Sequence, residues 1–160
     1  MSTRLCCILF RMNICPIYIN GIPTRRCCTG HNLCFALKVN DHVIGECWLQ
    51  KMNLPNVKKM YAADADVRRI DMLIGEKAYW GHGIGTLFIG MLVKYAFECE
   101  HVEVLHCFCE DYNVRSRRVW EKNGFQLVFT EEIPQPHKGK LQYHWRLTKD
   151  EYQERKAETL

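Results

Sequence analysis

A chain of 160 residues with 48% hydrophobic side chains carries enough apolar material for one domain around a single core. Its formal charge of +4 suits an anionic small molecule and falls short of the basicity of a nucleic-acid binder. No apolar run approaches the roughly 18 residues a membrane helix needs, and the N-terminal run Leu5–Phe10 stops at Arg11, too short for a signal-peptide core; a cytoplasmic protein is expected.

Residues 1–33 are poorly legible: two Cys-Cys pairs and two prolines, with no sustained helical periodicity. Ile17–Ile19 suits a short strand and Asn20-Gly21 a hairpin turn. The legible domain spans 34–150. Cys34–Val39 and Val43–Leu49 read as a hairpin joined by Asn40-Asp41-His42, in which Gly45 marks a bulge or a close backbone approach. Lys51–Met60 reads as a loop, and Asp66–Ile74 as a third strand. Apolar residues at Ile84, Leu87, Phe88, Met91, Leu92, Tyr95 and Ala96 predict a helix over Ile84–Cys99.

Val102–Cys109 is apolar in both alternating series, as in a strand covered on both faces. Asn113 caps a helix over Val114–Asn123, and Gly124 suits its left-handed terminus. Strands over Phe125–Thr130 and Leu141–Leu147 follow, separated by the loop Glu131–Lys140. A charged tail, 151–160, ends the chain in a short helix. The order ββ–β–α–β–α–β–β predicts an α/β sandwich with a mixed sheet and flanking helices.

Ten cysteines form no Cys-x-x-Cys pair, so neither a metal site nor a zinc ribbon is expected. Cys107 and Cys109 alternate in a strand and read as small buried apolar side chains.

The functional signal is Ile70–Thr86. An apolar run stops at Gly75, a loop carries glycine at 81, 83 and 85, and a helix starts at once. The first N–H groups of a helix lack internal partners and sit at the positive end of its dipole, so this arrangement can hold a pyrophosphate on Gly81–Thr86. A tight strand-to-helix turn with no ligand is the alternative. The spacing matches neither the Gly-x-Gly-x-x-Gly of dinucleotide-binding folds nor a Walker loop.

Tyr79-Trp80-Gly81-His82-Gly83-Ile84-Gly85-Thr86, followed by Asn113-x-x-Ser116 and Trp120-Glu-Lys-Asn-Gly-Phe125, resembles the acetyl-CoA-binding core of the GNAT N-acetyltransferases over roughly residues 34–147. The resemblance implies a central β-α-β core with acetyl-CoA as cosubstrate. His82, Gly83, Ile84, Gly85 and Thr86 would hold its pyrophosphate through backbone N–H groups. Met72, Leu73 and Ile74 would pair with the pantetheine arm like an added strand, with Asn113 and Ser116 on the same arm.

Acetyl transfer needs a neutral amine, donors for the oxyanion and help for the leaving thiolate. Backbone N–H groups near Leu73 are the candidate oxyanion donors. Asp71 is the candidate carboxylate for the amine, the alternative being an ion pair with Arg68 or Arg69. Val67-Arg-Arg-Ile-Asp71 is similar to the aminoglycoside 6′-N-acetyltransferase branch, although Met72 stands where that branch usually has Gln. Many GNAT enzymes carry an acidic tyrosine where this chain has Trp120, and an indole donates a hydrogen bond but no proton. Tyr143 is the first candidate for that role and Tyr112 the second, with protonation of the thiolate by water as the alternative.

The acids Asp64, Asp66, Glu110, Asp111, Glu131 and Glu132 are expected to flank the acceptor cleft or simply to be solvated. Arg115, Arg117 and Arg118 either reach the cofactor's 3′-phosphate or form a solvated helix face. The family normally places a strand and two helices ahead of the first hairpin. With about 33 residues available here, the acceptor site is open, completed by a second subunit, or defective.

The leading expectation is an N-acetyltransferase acting on a small-molecule amine, with the 6′-amine of an aminoglycoside antibiotic first among acceptors. A protein or peptide amine of the ribosomal-protein type and a non-catalytic acyl-CoA-binding domain are the alternatives. Neither nucleic acid nor membrane is expected as a partner, and a homodimer is left open.

Overall fold

The computed structural model describes residues 32–40 and 42–158, together with the backbone of three short strands nearer the N-terminus. These are β1 (Leu5–Ile8), β2 (Pro16–Ile19) and β3 (Ile22–Arg25). The strand expected at Ile17–Ile19 is present in β2, which pairs antiparallel with β3; the turn residues Asn20 and Gly21 lie outside the described residues. β1 was not legible as a strand. It joins the main sheet antiparallel to β4 (Leu33–Val39).

β5 (His42–Lys51), β6 (Val67–Ile74), β7 (Val104–Glu110), β8 (Gln126–Glu132) and β9 (Leu141–Thr148) complete a seven-stranded sheet in the order β1-β4-β5-β6-β7-β9-β8. Among the described strands only β6 and β7 run parallel, because α2 (Ile84–Glu98) provides the crossover between them. The mixed α/β sheet with flanking helices is therefore as the element order predicts. Lys51–Met60, expected as a loop, instead contains one helical turn, α1 (Pro55–Lys58), started by proline at its first turn. Val57 on that turn is fully buried with Met52, Val67 and Val104, covering one face of the sheet.

The larger core lies on the opposite face, under α2 and α3 (Val114–Lys122). Leu87, counted in the apolar stripe of α2, is 53% exposed, whereas Ile89, Val93 and Phe97 are buried. The buried side of this helix is broader than its three-and-four spacing suggests. Asn113 Oδ1 accepts the Ser116 N–H at 3.2 Å, the expected cap. Gly124 ends α3 at φ +88. The tail forms α4 (Lys149–Glu158), where Tyr152 stacks on Phe97 and its hydroxyl donates to Glu98.

Between β4 and β5 the register slips by one residue: Leu37 faces Gly45 and Lys38 faces Val43, so Ile44 bulges. On its other side, Gly45 presses against β6. A Cβ at this position would lie 2.0 Å from the Leu73 carbonyl oxygen. Both readings of Gly45, bulge and close approach, hold.

Candidate active site

Two backbone bonds fix the directions of the β6 edge groups. Gly75 N–H donates to the Ile44 carbonyl, and Met52 N–H donates to the Val67 carbonyl. Hydrogen-bonding groups alternate sides along an antiparallel strand, so residues 67, 69, 71, 73 and 75 turn their backbone toward β5. Residues 68, 70, 72 and 74 turn theirs toward β7. The parallel β6–β7 pairing covers Val67, Arg68 and Arg69 against Val104, Leu105 and His106, and then stops. Beyond it the backbone groups of Met72 and Ile74 face a gap. Leu73, around which oxyanion donors were expected, spends its own N–H on β5. The N–H groups that face the gap are those of its two neighbours.

One group on that edge already has a partner. Trp80 Nε1 donates to the Ile74 carbonyl at 2.8 Å. The Arg115 guanidinium lies 5.0 Å from the centroid of the same indole. The loop ahead of Trp80 is tied to β5 by the His42–Glu76 contact at 2.9 Å.

From this gap a groove of about 540 Å³ runs to the start of α2. Met72, Leu73, Ile74, Gly83, Ile84, Gly85, Thr86, Asn113 and Ser116, all expected on the cofactor, line it. His82 is exposed and does not. The α2 N-terminus carries no side-chain cap and no acidic residue in its first turn. Gly83 takes the N-cap position at φ +75, a conformation that costs a side-chain-bearing residue about 1–2 kcal/mol. Its terminal N–H groups are thus left for an anion. Arg115, Arg118 and Lys122 add positive charge along the rim. Arg117 instead lies over the Tyr143 ring at 5.1 Å.

A second cavity of about 240 Å³ adjoins the groove, and both are bordered by Met72, Asn113, Ser116 and Trp120. Trp120 is 3% exposed and packs edge-on against Phe125, with its indole N–H unpartnered among the described residues. Asp71, Cys109, Glu110, Tyr112 and Gln142 also line this cavity. Asp71 Oδ2 lies 2.6 Å from Arg69 Nε, an ion pair between two partly exposed side chains. Both readings of Asp71, cavity residue and Arg69 partner, therefore apply. Burial raises its carboxyl above the ordinary range and the Arg69 charge acts against that rise.

The two tyrosines separate clearly. Tyr112 lines the cavity, and the charge of Glu110 raises its phenol so that the hydroxyl keeps its proton. Tyr143 lines neither cavity. It packs against the core with Trp145 and Leu147, on the same side of β9. Strand alternation, invisible without the register, sends Gln142 rather than Tyr143 toward the cavity.

Three of the six acids expected around the acceptor cleft, Asp66, Asp111 and Glu131, are engaged elsewhere. Asp66 holds the 3%-exposed Arg68 together with Glu100. Asp111 accepts the Tyr112 and Lys140 N–H groups, and Glu110 Oε2 accepts the Gly139 N–H at 3.1 Å. Glu131 meets His144 and Asn56. Of the six, only Glu110 lines the cavity. A carboxylate near backbone N–H groups that lack strand partners satisfies those donors first.

Among the described residues no group of three or more His, Cys, Asp or Glu side chains has metal-binding geometry. Cys107 and Cys109 are buried thiols. None of the described helices is long and apolar enough to cross a membrane.

A family model described as an acetyltransferase (GNAT) domain matches residues 17–126. The fold is similar to the crystal structure of aminoglycoside acetyltransferase AAC(6′)-Ib in complex with coenzyme A, at a TM-score of 0.66 and 20% identity, covering 79% of this chain and 71% of that one. It is also similar to Mycobacterium smegmatis RimJ in complex with CoA-disulfide, at 0.64 and 15%, covering 76% and 55%. A spermidine N-acetyltransferase SpeG chimera from Vibrio cholerae and hSSAT matches at 0.63 and 14%, covering 78% and 70%. This chain therefore spans between 55% and 71% of the lengths of these three.

Proposed function

Because the chain belongs to the GNAT acetyltransferases and is an acetyl-CoA-dependent N-acetyltransferase, we propose that it acetylates a primary amine of a small polycationic molecule, with the 6′-amine of an aminoglycoside as the leading acceptor. The observation that supports this reading is the compact cavity, adjoining the groove, that Asp71 and Glu110 both line. A cavity of about 240 Å³ fits one substituted ring or a short chain bearing the amine, and two carboxylates favour a cation there.

The groove takes acetyl-CoA as substrate. Its pyrophosphate meets the bare N-terminus of α2, and its pantetheine amides pair with the β6 edge at Met72 and Ile74, where the Ile74 carbonyl now holds the Trp80 indole. This puts the thioester at the junction bordered by Met72, Asn113, Ser116 and Trp120. Asp71 holds the incoming ammonium and accepts its proton, leaving the neutral amine to attack. The Met72 N–H, bordering the junction, is the candidate donor to the oxyanion, and the Ile74 N–H is left for the pantetheine arm. The remaining work is proximity, with two substrates held end to end in adjoining cavities.

For the leaving thiolate, the Tyr112 hydroxyl on the cavity wall is the donor this geometry favours, in place of Tyr143. Tyr112→Phe is expected to lower kcat by roughly tenfold with little change in KM for acetyl-CoA, and Tyr143→Phe to change kcat less than twofold. The reverse order in a steady-state comparison would return the role to Tyr143.

The Trp80 indole occupies an edge acceptor that the pantetheine arm would use. Trp80→Phe keeps the ring under Arg115 and removes the N–H. Acetyl-CoA is expected to bind this variant roughly threefold to tenfold more tightly, the worth of one competing hydrogen bond. Unchanged or weaker binding by calorimetry would mean that the indole stays in place when the substrate enters.

The reading as a whole is tested by thiol release from acetyl-CoA against a panel of aminoglycosides, polyamines and peptides. The largest kcat/KM is expected with an aminoglycoside. A peptide acceptor ahead of every small amine would replace the small-molecule assignment with a protein substrate.

A further inference from the structure

The hydrogen-bond pattern beneath the smaller cavity fixes which end of the Gln142 amide faces it. His106 and His144 are both fully buried, at 0% exposure, and Phe129 stacks on the His144 ring with centroids 4.1 Å apart. His144 Nε2 lies 2.9 Å from Glu131 Oε1 and 3.2 Å from Gln142 Oε1. An ionised carboxylate only accepts, so Nε2 carries the proton and donates to both oxygens. Burial lowers the His144 pKa and keeps the ring neutral, leaving Nδ1 as an acceptor for His106 Nε2–H at 3.0 Å. His106 is also neutral, pushed down to about 3 by burial and then by His144 and Arg146.

Each proton along this row is thereby placed, beginning from the charge on Glu131. The oxygen of Gln142 is the end that meets His144, because the reversed amide would set its NH2 against the His144 N–H. The nitrogen end has no hydrogen-bond partner among the described residues and is not among their buried unpartnered atoms. Gln142 lines the cavity together with Asp71 and Glu110.

We infer that Gln142 is a specificity-determining residue: its amide N–H groups, oriented by His144, bind an oxygen of the acceptor while Asp71 holds the ammonium. The acceptor is then an amine with a hydroxyl or ether oxygen close to its reacting nitrogen, an amino sugar or amino alcohol rather than a plain polyamine. This inference rests on the proposed acetylation of a small-molecule amine. Gln142 touches the acceptor, and His144 acts through it as a positioning residue.

The test compares kanamycin and spermidine as acceptors, with thiol release as the readout, in the 160-residue chain and its Gln142→Leu and Gln142→Met variants. Both variants are expected to lower the kanamycin-to-spermidine ratio of kcat/KM by roughly threefold to tenfold, the loss of one hydrogen bond. The change is expected in KM for kanamycin, with kcat, KM for acetyl-CoA and the spermidine values unmoved. Gln142→Met keeps the side-chain length and the net charge of the cavity, offers no N–H, and decides the matter if the leucine variant fails to fold. His144→Phe is expected to lower the same ratio, again through KM, and to leave little for a further Gln142→Leu to remove. Thiol release with an unaltered ratio, or equal losses for both acceptors, would overturn the role of Gln142 alone. No release with any amine would overturn the acceptor reading and this inference with it.

Discussion

Replacing Asp71 by asparagine is expected to lower kcat/KM for the amine by about 100-fold or more, the lower end of what a positioned general base contributes. The KM for acetyl-CoA should stay within twofold, because Asp71 borders the smaller cavity and not the cofactor groove. The pH profile gives a second and independent signature. Burial raises the Asp71 carboxyl in the folded chain, and the group works only when ionised. The acid limb of kcat/KM should therefore fall at a pH above the ordinary carboxylate range, and it should vanish in the variant.

The sign for stability runs the other way. A carboxyl whose pKa is higher in the folded than in the unfolded chain binds its proton more tightly when folded. It subtracts stability at pH values above the folded pKa, and this cost disappears below the unfolded pKa. Asp71→Asn is thus expected to unfold at the same temperature as the parent chain at neutral pH, or slightly above it. Its loss of activity cannot then be ascribed to unfolding. Full activity in the asparagine variant would remove Asp71 from the amine-binding role and leave it as the partner of Arg69.

The second large effect is on stability. Gly45→Ala is expected to cost about 3 kcal/mol, the upper end of the range for overpacking. At about 2–4 °C per kcal/mol for a chain of this size, the melting temperature should drop by roughly 6–12 °C. The added methyl would lie 2.0 Å from the Leu73 carbonyl oxygen and 3.0 Å from the Ile74 Cα, and both are backbone atoms that cannot rotate away. β6 must shift, and with it the Met72 and Ile74 edge proposed for the pantetheine arm. A weakened affinity for acetyl-CoA should accompany the lowered melting temperature. Gly75→Ala serves as the control, since its Cβ would meet nothing closer than 3.9 Å. Equal stability in the two variants, measured by thermal unfolding, would show that the β5–β6 contact is slack.

The two glycines also show what kind of signal a sequence carries. Gly81, Gly83 and Gly85 stand between an apolar run and a helical pattern, and that local order is sufficient to imply a bare helix N-terminus. The N-cap of α3 at Asn113 and its left-handed end at Gly124 are legible for the same reason. Each is settled by interactions within four residues along the chain, where spacing alone brings the partners together. β1 was not legible, because four residues at a sheet edge draw their stability from pairing with β4, some 30 positions away. The helical turn at Pro55–Lys58 was hidden likewise: its single buried side chain, Val57, is held by residues of β6 and β7.

The site divides along the same line. That Asp71, the apolar run after it and the glycine loop belong together follows from their adjacency in the chain. The identity of the free backbone groups on β6 does not, since it depends on where β7 stops pairing and on which parity faces β5. Trp80 at the Ile74 carbonyl, Glu110 and Asp111 on the loop before β9, and Tyr112 rather than Tyr143 on the cavity are decided by strand register and loop packing. Gln142, His144 and Glu131 were invisible as a group for the same reason. They come from two strands whose side chains meet only when β8 lies against β9. The sequence by itself determined the family and the candidate cofactor loop, because a pyrophosphate-type loop is written in consecutive residues. The tertiary structure decided which residues line the candidate acceptor cavity, because that cavity is built from side chains of distant strands.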